Sequence, residues 1–313
     1  MRIKDNKTKA AVRSDTIRYM RKNYDLYLLL IPAFLFYIIF CYVPMFGVIV
    51  AFKDYNIFDG VLKSDWAGLK YFKQMIELPN FTSMVRNTLM LNILSILVGF
   101  PAPIILSLML NELRSTGYKR VAQSLLYLPH FMSWIVLAGI ITNLLSPQYG
   151  IINHILRSFG FEEIFFMSDK VWWVVVYVLS GVWQSVGWGT IVYMAALTGI
   201  DQCLYEAATI DGAGKWKQML HVTIPGILPT ISIMFIMKMG TIVSIGFEQP
   251  MALSNSVVTE VSEVISTYSY TAGVRNGQYS VTTAIGLLQS VINMAMILLT
   301  NRISWKISGS GLY

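Results

Sequence analysis

Six long apolar stretches alternate with polar segments along this 313-residue chain. A helix needs about 20 apolar residues to cross the hydrocarbon core of a membrane, and each stretch reaches or approaches that length. The stretches cover about 26–51, 85–110, 121–145, 171–199, 226–247 and 281–301. The first two contain prolines, which membrane helices tolerate as kinks. These are Pro32, Pro44, Pro101 and Pro103. The pattern predicts an all-α membrane protein with six transmembrane helices.

The composition supports this fold class. Hydrophobic residues make up 55% of the chain and charged residues 13%, whereas soluble domains carry about 25% charged residues. The first 24 residues are strongly basic. Because an apolar stretch follows directly, the basic tail indicates a topology signal or a contact with acidic lipids rather than nucleic-acid binding. The long basic region and the absence of an A-x-A site also disfavour a secretory signal peptide.

The distribution of lysine and arginine predicts the orientation. The two tails and segments 111–120 and 200–225 together hold 15 of these residues, whereas segments 52–84, 146–170 and 248–280 hold 7. The positive-inside rule then places both termini and segment 200–225 in the cytoplasm. We expect a cytoplasmic tail at 1–25, a transmembrane domain at 26–303 and a second cytoplasmic tail at 304–313.

Segment 200–229 is a polar island between two apolar stretches. Asp201 is a plausible N-cap for a helix that begins near Gln202, and Gly212 and Gly214 are expected to end that helix. A second amphipathic piece follows, and Pro225 is expected to close it. Its apolar residues are Trp216, Met219, Leu220 and Val222. The residues alone leave two interpretations open: a helix that docks into a cytoplasmic ATPase, or an ordinary amphipathic connector.

A motif in this segment resembles the coupling loop of permease subunits of binding-protein-dependent ABC importers. The pattern is E-A-A-x-x-D-G-A followed by I-P and a further proline. It corresponds here to Glu206, Ala207, Ala208, Asp211, Gly212, Ala213, Ile224, Pro225 and Pro229. Where the family often has phenylalanine in the second piece, this chain has Met219 and Leu220. Further segments are similar to the carbohydrate-uptake branch, above all to permeases for oligosaccharides and polysaccharide fragments. They are YMAALTGID, NTL at 87–89, LPHFMSW at 128–134, GFEQ at 246–249 and the run from Gly277 to Ser304.

The resemblance implies a mechanism and a set of partners. It implies the type I ABC importer architecture in a bacterial cytoplasmic membrane and an extracytoplasmic binding protein that delivers an oligosaccharide. It also implies a second, non-identical permease and two cytoplasmic ATPases that bind ATP and Mg. This chain has no G-x-x-x-x-G-K-[ST] phosphate loop, so we expect no cofactor and no catalytic residue in it. The coupling residues would be Glu206, Ala207, Ala208, Asp211, Gly212, Ala213, Ile224 and Pro225.

Polar and aromatic residues at membrane depth are candidates for the substrate pathway. They are Asn143, Trp183, Gln184, Trp188, Tyr193, Lys238, Glu248, Gln289 and Asn293. Aromatic faces stack on sugar rings and amides bind hydroxyls, but the same residue types also hold membrane helices together. Lys238 could snorkel, pair with a carboxylate or line the pathway, and in the pathway it would suit a uronate. The histidines and cysteines have no metal-ligand spacing.

Three other functions remain open at this point. The chain could be an ABC permease for a non-sugar solute, a membrane-embedded enzyme that processes glycans or lipids, or a self-sufficient secondary transporter. An enzyme would need a carboxylate or histidine cluster at one membrane face, whereas Glu162–Glu163 and Glu260/Glu263 look like solvated loop residues. A secondary transporter would favour internal repeats, which the sequence lacks.

Overall fold

The computed structural model describes residues 19–113, 115–308 and 311. Most of the predicted basic tail, Arg114 and the final residues of the C-terminal tail lie outside this range. The described residues form two units, which divide between Leu69 and Lys70. Each unit is described by itself below.

The first unit contains one long apolar helix and a small hairpin. The helix comprises α1 (Tyr24–Tyr37), a π segment (Ile38–Tyr42), α2 (Val43–Met45) and a 3-10 segment (Phe46–Phe52). Strand β1 (Lys53–Asp54) pairs antiparallel with β2 (Asp65–Trp66), and α3 (Gly60–Lys63) lies between them. The ammonium of Lys53 donates to the carbonyls of Val61 at 2.7 Å and Ser64 at 3.1 Å, which closes the connecting loop. The apolar helix confirms the first predicted span.

In the part of the second unit that the structure describes, all regular secondary structure is helical. Its helices are α4 (Lys70–Glu77), α5 (Phe81–Gly99), α6 (Pro101–Glu112), α7 (Thr116–Tyr127), α8 (Trp134–Leu144), α9 (Ile151–Ser158), α10 (Lys170–Thr198), α11 (Gln202–Ile210), α12 (Lys215–Gln218), α13 (Ile224–Met239), α14 (Glu248–Leu253), α15 (Thr259–Ser262), α16 (Ile265–Ser269) and α17 (Tyr279–Ser308). A 3-10 turn (Leu128–Phe131) and π segments at Met219–Thr223 and Tyr270–Arg275 join some of them. Helix α10 lies at the centre and packs against α5, α6, α7 and α13.

Five helical runs among the described residues are long and apolar enough to cross a membrane. They are Tyr24–Phe52, Phe81–Glu112, Lys170–Thr198, Lys215–Met239 and Tyr279–Lys306. The sixth predicted span, 121–145, is not one straight helix, because Thr116–Phe131 and Trp134–Leu144 meet at a bend of 105°. The chain restarts at Ser133, whose hydroxyl caps α8 by accepting from the N–H of Val136 at 3.4 Å. Six spans result if this bent pair counts as one.

The predicted boundaries of the fifth span were wrong at both ends. Helix runs without interruption from Lys215 to Met239, so Pro225 does not close the preceding piece. A π segment directly precedes α13. Its wider turn makes room for a proline ring that would otherwise clash with the carbonyl four residues earlier. The helix ends at Met239, and residues 240–247 are not helical.

Candidate functional sites: a central cavity and a coupling loop

A cavity of about 460 Å³ lies within the second unit. Its walls come from α5, α6, α8, α10, α13, α14 and the non-helical segment 240–247. The lining is mixed in character. It offers amides and hydroxyls from Asn92, Ser95, Tyr177, Gln184, Ser185, Tyr193, Ser244 and Gln249, and aromatic surface from Phe100, Trp134 and Trp188. Among the described lining residues, Lys238 is the only Asp, Glu, Lys, Arg or His.

The structure brings four of the predicted pathway residues to this cavity: Gln184, Trp188, Tyr193 and Lys238. Gln184 and Trp188 are four residues apart and therefore lie on one face of α10. Lys238 comes from the last turn of α13 and is exposed. The spacing along α10 could be recognised in the sequence, but the position of α13 opposite it could not.

Gln289 and Asn293 do not line the cavity but hold its wall. The amide of Gln289 donates to the carbonyl of Val243 at 2.7 Å. Asn293 accepts from the N–H of Val243 at 3.2 Å and donates to the hydroxyl of Ser244 at 2.7 Å. From α5, Asn92 donates to the carbonyl of Ile242 at 2.8 Å. These three side chains, here called the amide clamp, satisfy backbone groups of the non-helical segment that a membrane interior would leave unpaired.

The other predicted pathway residues lie elsewhere. Trp183 is exposed on α10 beside the lining residues but is not one of them. Asn143 is exposed near the end of α8, and its amide donates to the carbonyl of Gly139 at 2.9 Å. Glu248 is exposed at the start of α14. The neighbouring residue Gln249 lines the cavity instead and donates to the carbonyl of Tyr177 at 2.7 Å. Sequence reasoning missed Asn92 and Gln249, because nothing in the chain indicates which amides face inward.

The coupling loop is a helix, a glycine turn and a second helix. The carboxylate of Asp201 accepts from the N–H of Cys203 at 2.9 Å and caps α11. At the other end of α11, Gly212 has a φ of +73°, a conformation that favours glycine. The N–H of Ala213 donates to the carbonyl of Ala208 at 2.8 Å and that of Gly212 to Thr209 at 3.0 Å, which is a Schellman motif. The predicted start and end of this helix are confirmed.

Side chains tie the two halves of the loop together. The hydroxyls of Tyr205 and Thr223 are 2.9 Å apart. Gln218 donates to the hydroxyl of Thr209 at 3.0 Å and to the carbonyl of Ala213, also at 3.0 Å. The loop thus folds as one body that continues directly into α13.

The outer surface of the loop is partly apolar. Ile210 is 87% exposed and Trp216 75% exposed. Glu206, Ala207 and Asp211 are also exposed, whereas Ile224 is half-buried at the start of α13. Lys215 forms an ion pair with Glu112 at the end of α6, with 3.1 Å between the ammonium and a carboxylate oxygen. The surface of the loop therefore carries both charged and large apolar side chains.

A polar cluster joins the start of α5 to segment 259–265. Asn87 is buried, and its amide donates to the carbonyls of Glu260 at 2.8 Å and Glu263 at 3.0 Å. Thr88 accepts from the N–H of Ile265 at 3.1 Å. Lys170 binds the exposed carboxylate of Glu260, and this hydrogen bond with its positive charge lowers the pKa of Glu260. In residues 19–113, 115–308 and 311, no cluster of His, Cys, Asp and Glu side chains could hold a metal ion.

The fold and the loop define a permease of a solute importer. A family model described as "Binding-protein-dependent transport system inner membrane component" matches residues 26–309. The chain belongs to this family and is a multi-pass inner-membrane transport subunit, which confirms the resemblance seen in the sequence. This membership also supports a transport subunit over an enzyme.

Individual relatives agree with this assignment. The polygalacturonan/rhamnogalacturonan transport system permease protein YteP of Bacillus subtilis (strain 168) is 40% identical over 297 residues, which are 95% of this chain and 92% of that protein. A chain of a bacterial ABC transporter that imports the acidic polysaccharide alginate has a TM-score of 0.85 at 35% identity. The match covers 94% of this chain and 99% of that chain. The same values hold for the alginate transporter in complex with an alginate pentasaccharide-bound periplasmic protein. The type I permease fold is thereby confirmed.

Proposed function

We propose that this chain is one pore-forming subunit of an ATP-driven importer of oligosaccharides that carry carboxylates, such as uronate oligomers. The main evidence for this substrate class is the set of residues that line the cavity. It combines aromatic surface, several amides and hydroxyls and one lysine, with no Asp or Glu among its described lining residues. Aromatic faces suit the C–H faces of sugar rings, amides suit their hydroxyls, and the ammonium of Lys238 suits a carboxylate.

The names of the relatives support the same substrate class. The transport systems that they describe carry polygalacturonan, rhamnogalacturonan and alginate, and the last is described as an acidic polysaccharide. The chain covers nearly the full length of both relatives. We propose that this chain shares their preference for acidic glycans, with Lys238 as the residue that recognises the charge.

The partners follow from the same proposal. An extracytoplasmic binding protein delivers the sugar, a second and non-identical permease completes the pore, and two ATPases bind ATP and Mg on the cytoplasmic side. Both termini and the coupling loop face the cytoplasm, which the charge distribution supports. Glu206, Ala207, Ala208, Asp211, Gly212 and Ala213 then contact the ATPase, together with the exposed Ile210 and Trp216. Ile224 and Pro225 begin the helix that leads to Lys238.

Substitution of Lys238 tests the substrate class. In the assembled transporter, Lys238→Gln removes the charge and keeps a hydrogen-bond donor. A hydrogen bond to a charged group contributes about 1.5–3 kcal/mol, so uptake of a uronate oligosaccharide should fall roughly tenfold or more. Uptake of a neutral oligosaccharide of the same length should change little. The measurement is initial uptake of both labelled sugars into cells or proteoliposomes.

Two further variants complete this experiment. Lys238→Arg keeps the charge and should retain the preference for the acidic sugar. Lys217→Gln is a charge control, read as the ratio of acidic to neutral uptake, because Lys217 lies in the same helical run and does not line the cavity. Undiminished uptake of the uronate by Lys238→Gln would refute the proposed substrate class.

Substitution of Glu206 tests the ATPase partner. Glu206→Lys reverses an exposed charge on α11 without touching the cavity. We expect the ATPase to copurify poorly with the variant, or ATP hydrolysis to continue without uptake. Normal copurification together with normal uptake would contradict the proposed docking surface.

A further inference from the structure

Trp188 is the one tryptophan of α10 that lines the cavity, and a second ring backs it. The imidazole of His130 stacks on its indole with 4.7 Å between ring centroids and 7° between ring planes. Phe131 meets the same indole edge-on at 5.9 Å and 86°. Trp188 remains 48% exposed. One face of the indole is thus covered by His130, and the indole surface left open belongs to the cavity wall.

The chain around this stack is built for close approach. A Cβ atom at Gly187 would overlap the backbone carbonyl of Leu126, so glycine lets the end of α7 press against α10. The 3-10 turn Leu128–Phe131 follows directly. Its position is also marked by a weak hydrogen bond of 3.5 Å from the amide of Gln184 to the carbonyl of His130. The turn therefore contacts Trp188 through the ring of His130.

The imidazole of His130 has an unusual environment. Its Nδ1 is buried and has no hydrogen-bond partner among the described residues. Leaving such a group unsatisfied is unfavourable. Among the described residues, no hydrogen bond of the His130 side chain accounts for its place, whereas its ring makes a close parallel stack with Trp188. The stacking on Trp188 is therefore the contact that explains the position of the imidazole.

We propose that His130 is a positioning residue that holds the indole of Trp188 as a flat wall on which a pyranose ring of the passing sugar stacks. This inference rests on the proposed function, because it assigns a role to one wall of the same cavity. A sugar ring gains from stacking only when the aromatic plane is already oriented. The backing ring, the edge contact of Phe131 and the fixed turn keep the indole in place before the sugar arrives.

The test compares two substitutions at His130 in the complete transporter. His130→Leu removes the planar ring at similar volume, whereas His130→Phe keeps a planar ring and removes the orphaned nitrogen. Loss of one aromatic pair corresponds to a roughly three- to tenfold effect. We expect His130→Leu to weaken oligosaccharide binding by this factor, for acidic and neutral sugars alike. His130→Phe should bind and transport at the wild-type level.

Binding is read by the sugar-dependent change in tryptophan fluorescence of the purified complex. The part of the signal due to Trp188 is the difference between wild type and Trp188→Phe. Trp183→Phe is the matched control, since Trp183 is 44% exposed on the same helix but does not line the cavity. The sugar transported per ATP hydrolysed, measured in proteoliposomes, separates a loss of binding from a loss of assembly. A purely structural role of His130 would lower protein yield and ATPase activity without changing this ratio.

The outcomes distinguish the inference from the proposal beneath it. If Trp188→Leu binds and transports sugar normally, the proposed cavity function fails. If Trp188→Leu is impaired and His130→Leu is not, only the positioning role fails. If His130→Phe is as impaired as His130→Leu, the imidazole nitrogen is needed, which also overturns the positioning role.

Discussion

The coupling loop and the segment 240–247 of the cavity wall both lie between long helices, but different contacts stabilise them. Apart from the ion pair of Lys215 with Glu112, the loop holds itself, because its cap, its Schellman motif and its side-chain hydrogen bonds join residues within 201–223. The wall segment 240–247 is held from outside by the amide clamp, whose side chains lie 46 to 150 residues away. A self-contained body can be presented to a partner. A segment held by distant helices instead responds whenever those helices move.

The largest effect is expected from Gly212→Pro. Proline fixes φ near −65°, whereas Gly212 has a φ of +73° and donates its N–H to Thr209. The Schellman motif cannot form, so α11 and α12 lose their fixed arrangement. Uptake should fall more than tenfold, with ATP hydrolysis no longer linked to transport.

Gly214→Ala is the control for this substitution. Gly214 has a φ of −68°, and a Cβ atom there meets nothing within 4 Å. We expect near-normal uptake from it. Normal uptake by Gly212→Pro would mean that the loop does not need its own geometry to couple.

A smaller effect is expected from Gln289→Leu, which removes one member of the amide clamp. The carbonyl of Val243, a buried residue, then loses its donor, and an unsatisfied buried acceptor costs about 1–3 kcal/mol. The midpoint of thermal unfolding in detergent should fall. Uptake should fall several-fold because Ser244 and Ile245 shift in the cavity wall.

Ser290→Ala is the control for the clamp. It removes a hydroxyl on the same helix that donates only to the carbonyl of Gly286 one turn away. We expect no change in uptake and little change in thermal stability. Equal effects of the two substitutions would argue that the clamp has no special role in the wall.

A similar loss of stability, with a smaller effect on uptake, is expected from Gly187→Ala. The added Cβ would overlap the carbonyl of Leu126, and overpacking of this kind costs about 1–3 kcal/mol. The thermal midpoint should fall and the fluorescence response of Trp188 to sugar should weaken, since the backing turn moves. Gly139→Ala is the control, because nothing lies within 4 Å of its Cβ position. Equal thermal midpoints for both variants would contradict the close packing of α7 on α10.

The same contrast explains how much the sequence could predict. The start and end of α11 could be predicted from the sequence because the residues that determine them are local: Asp201 precedes the helix and Gly212 follows it. The membrane spans could be predicted from the length of the apolar stretches, except for the bend before Trp134 and the continuation of the helix through Pro225. The lining of the cavity could not be predicted from the sequence, because the sequence does not show whether an amide side chain faces a sugar or a backbone carbonyl. Gln184 faces the cavity while Gln289 binds Val243, and only the packing of α13 and α17 against their neighbours decides between them.

The smallest effect is expected at the ion pair of Lys170 and Glu260, which lies outside both regions. The hydrogen bond from Lys170 and its positive charge lower the pKa of Glu260. The ion pair therefore contributes stability above the ordinary carboxyl pKa, and this contribution is lost as pH falls through the lowered pKa of Glu260. The pair is exposed, and salt screens exposed pairs. Glu260→Gln should therefore lower the thermal midpoint slightly at neutral pH and low salt. The difference from wild type should vanish in acid and in high salt. The carbonyl of Glu260 that binds Asn87 is unaffected by this substitution, so a large loss of stability would show that the carboxylate does more than pair with Lys170.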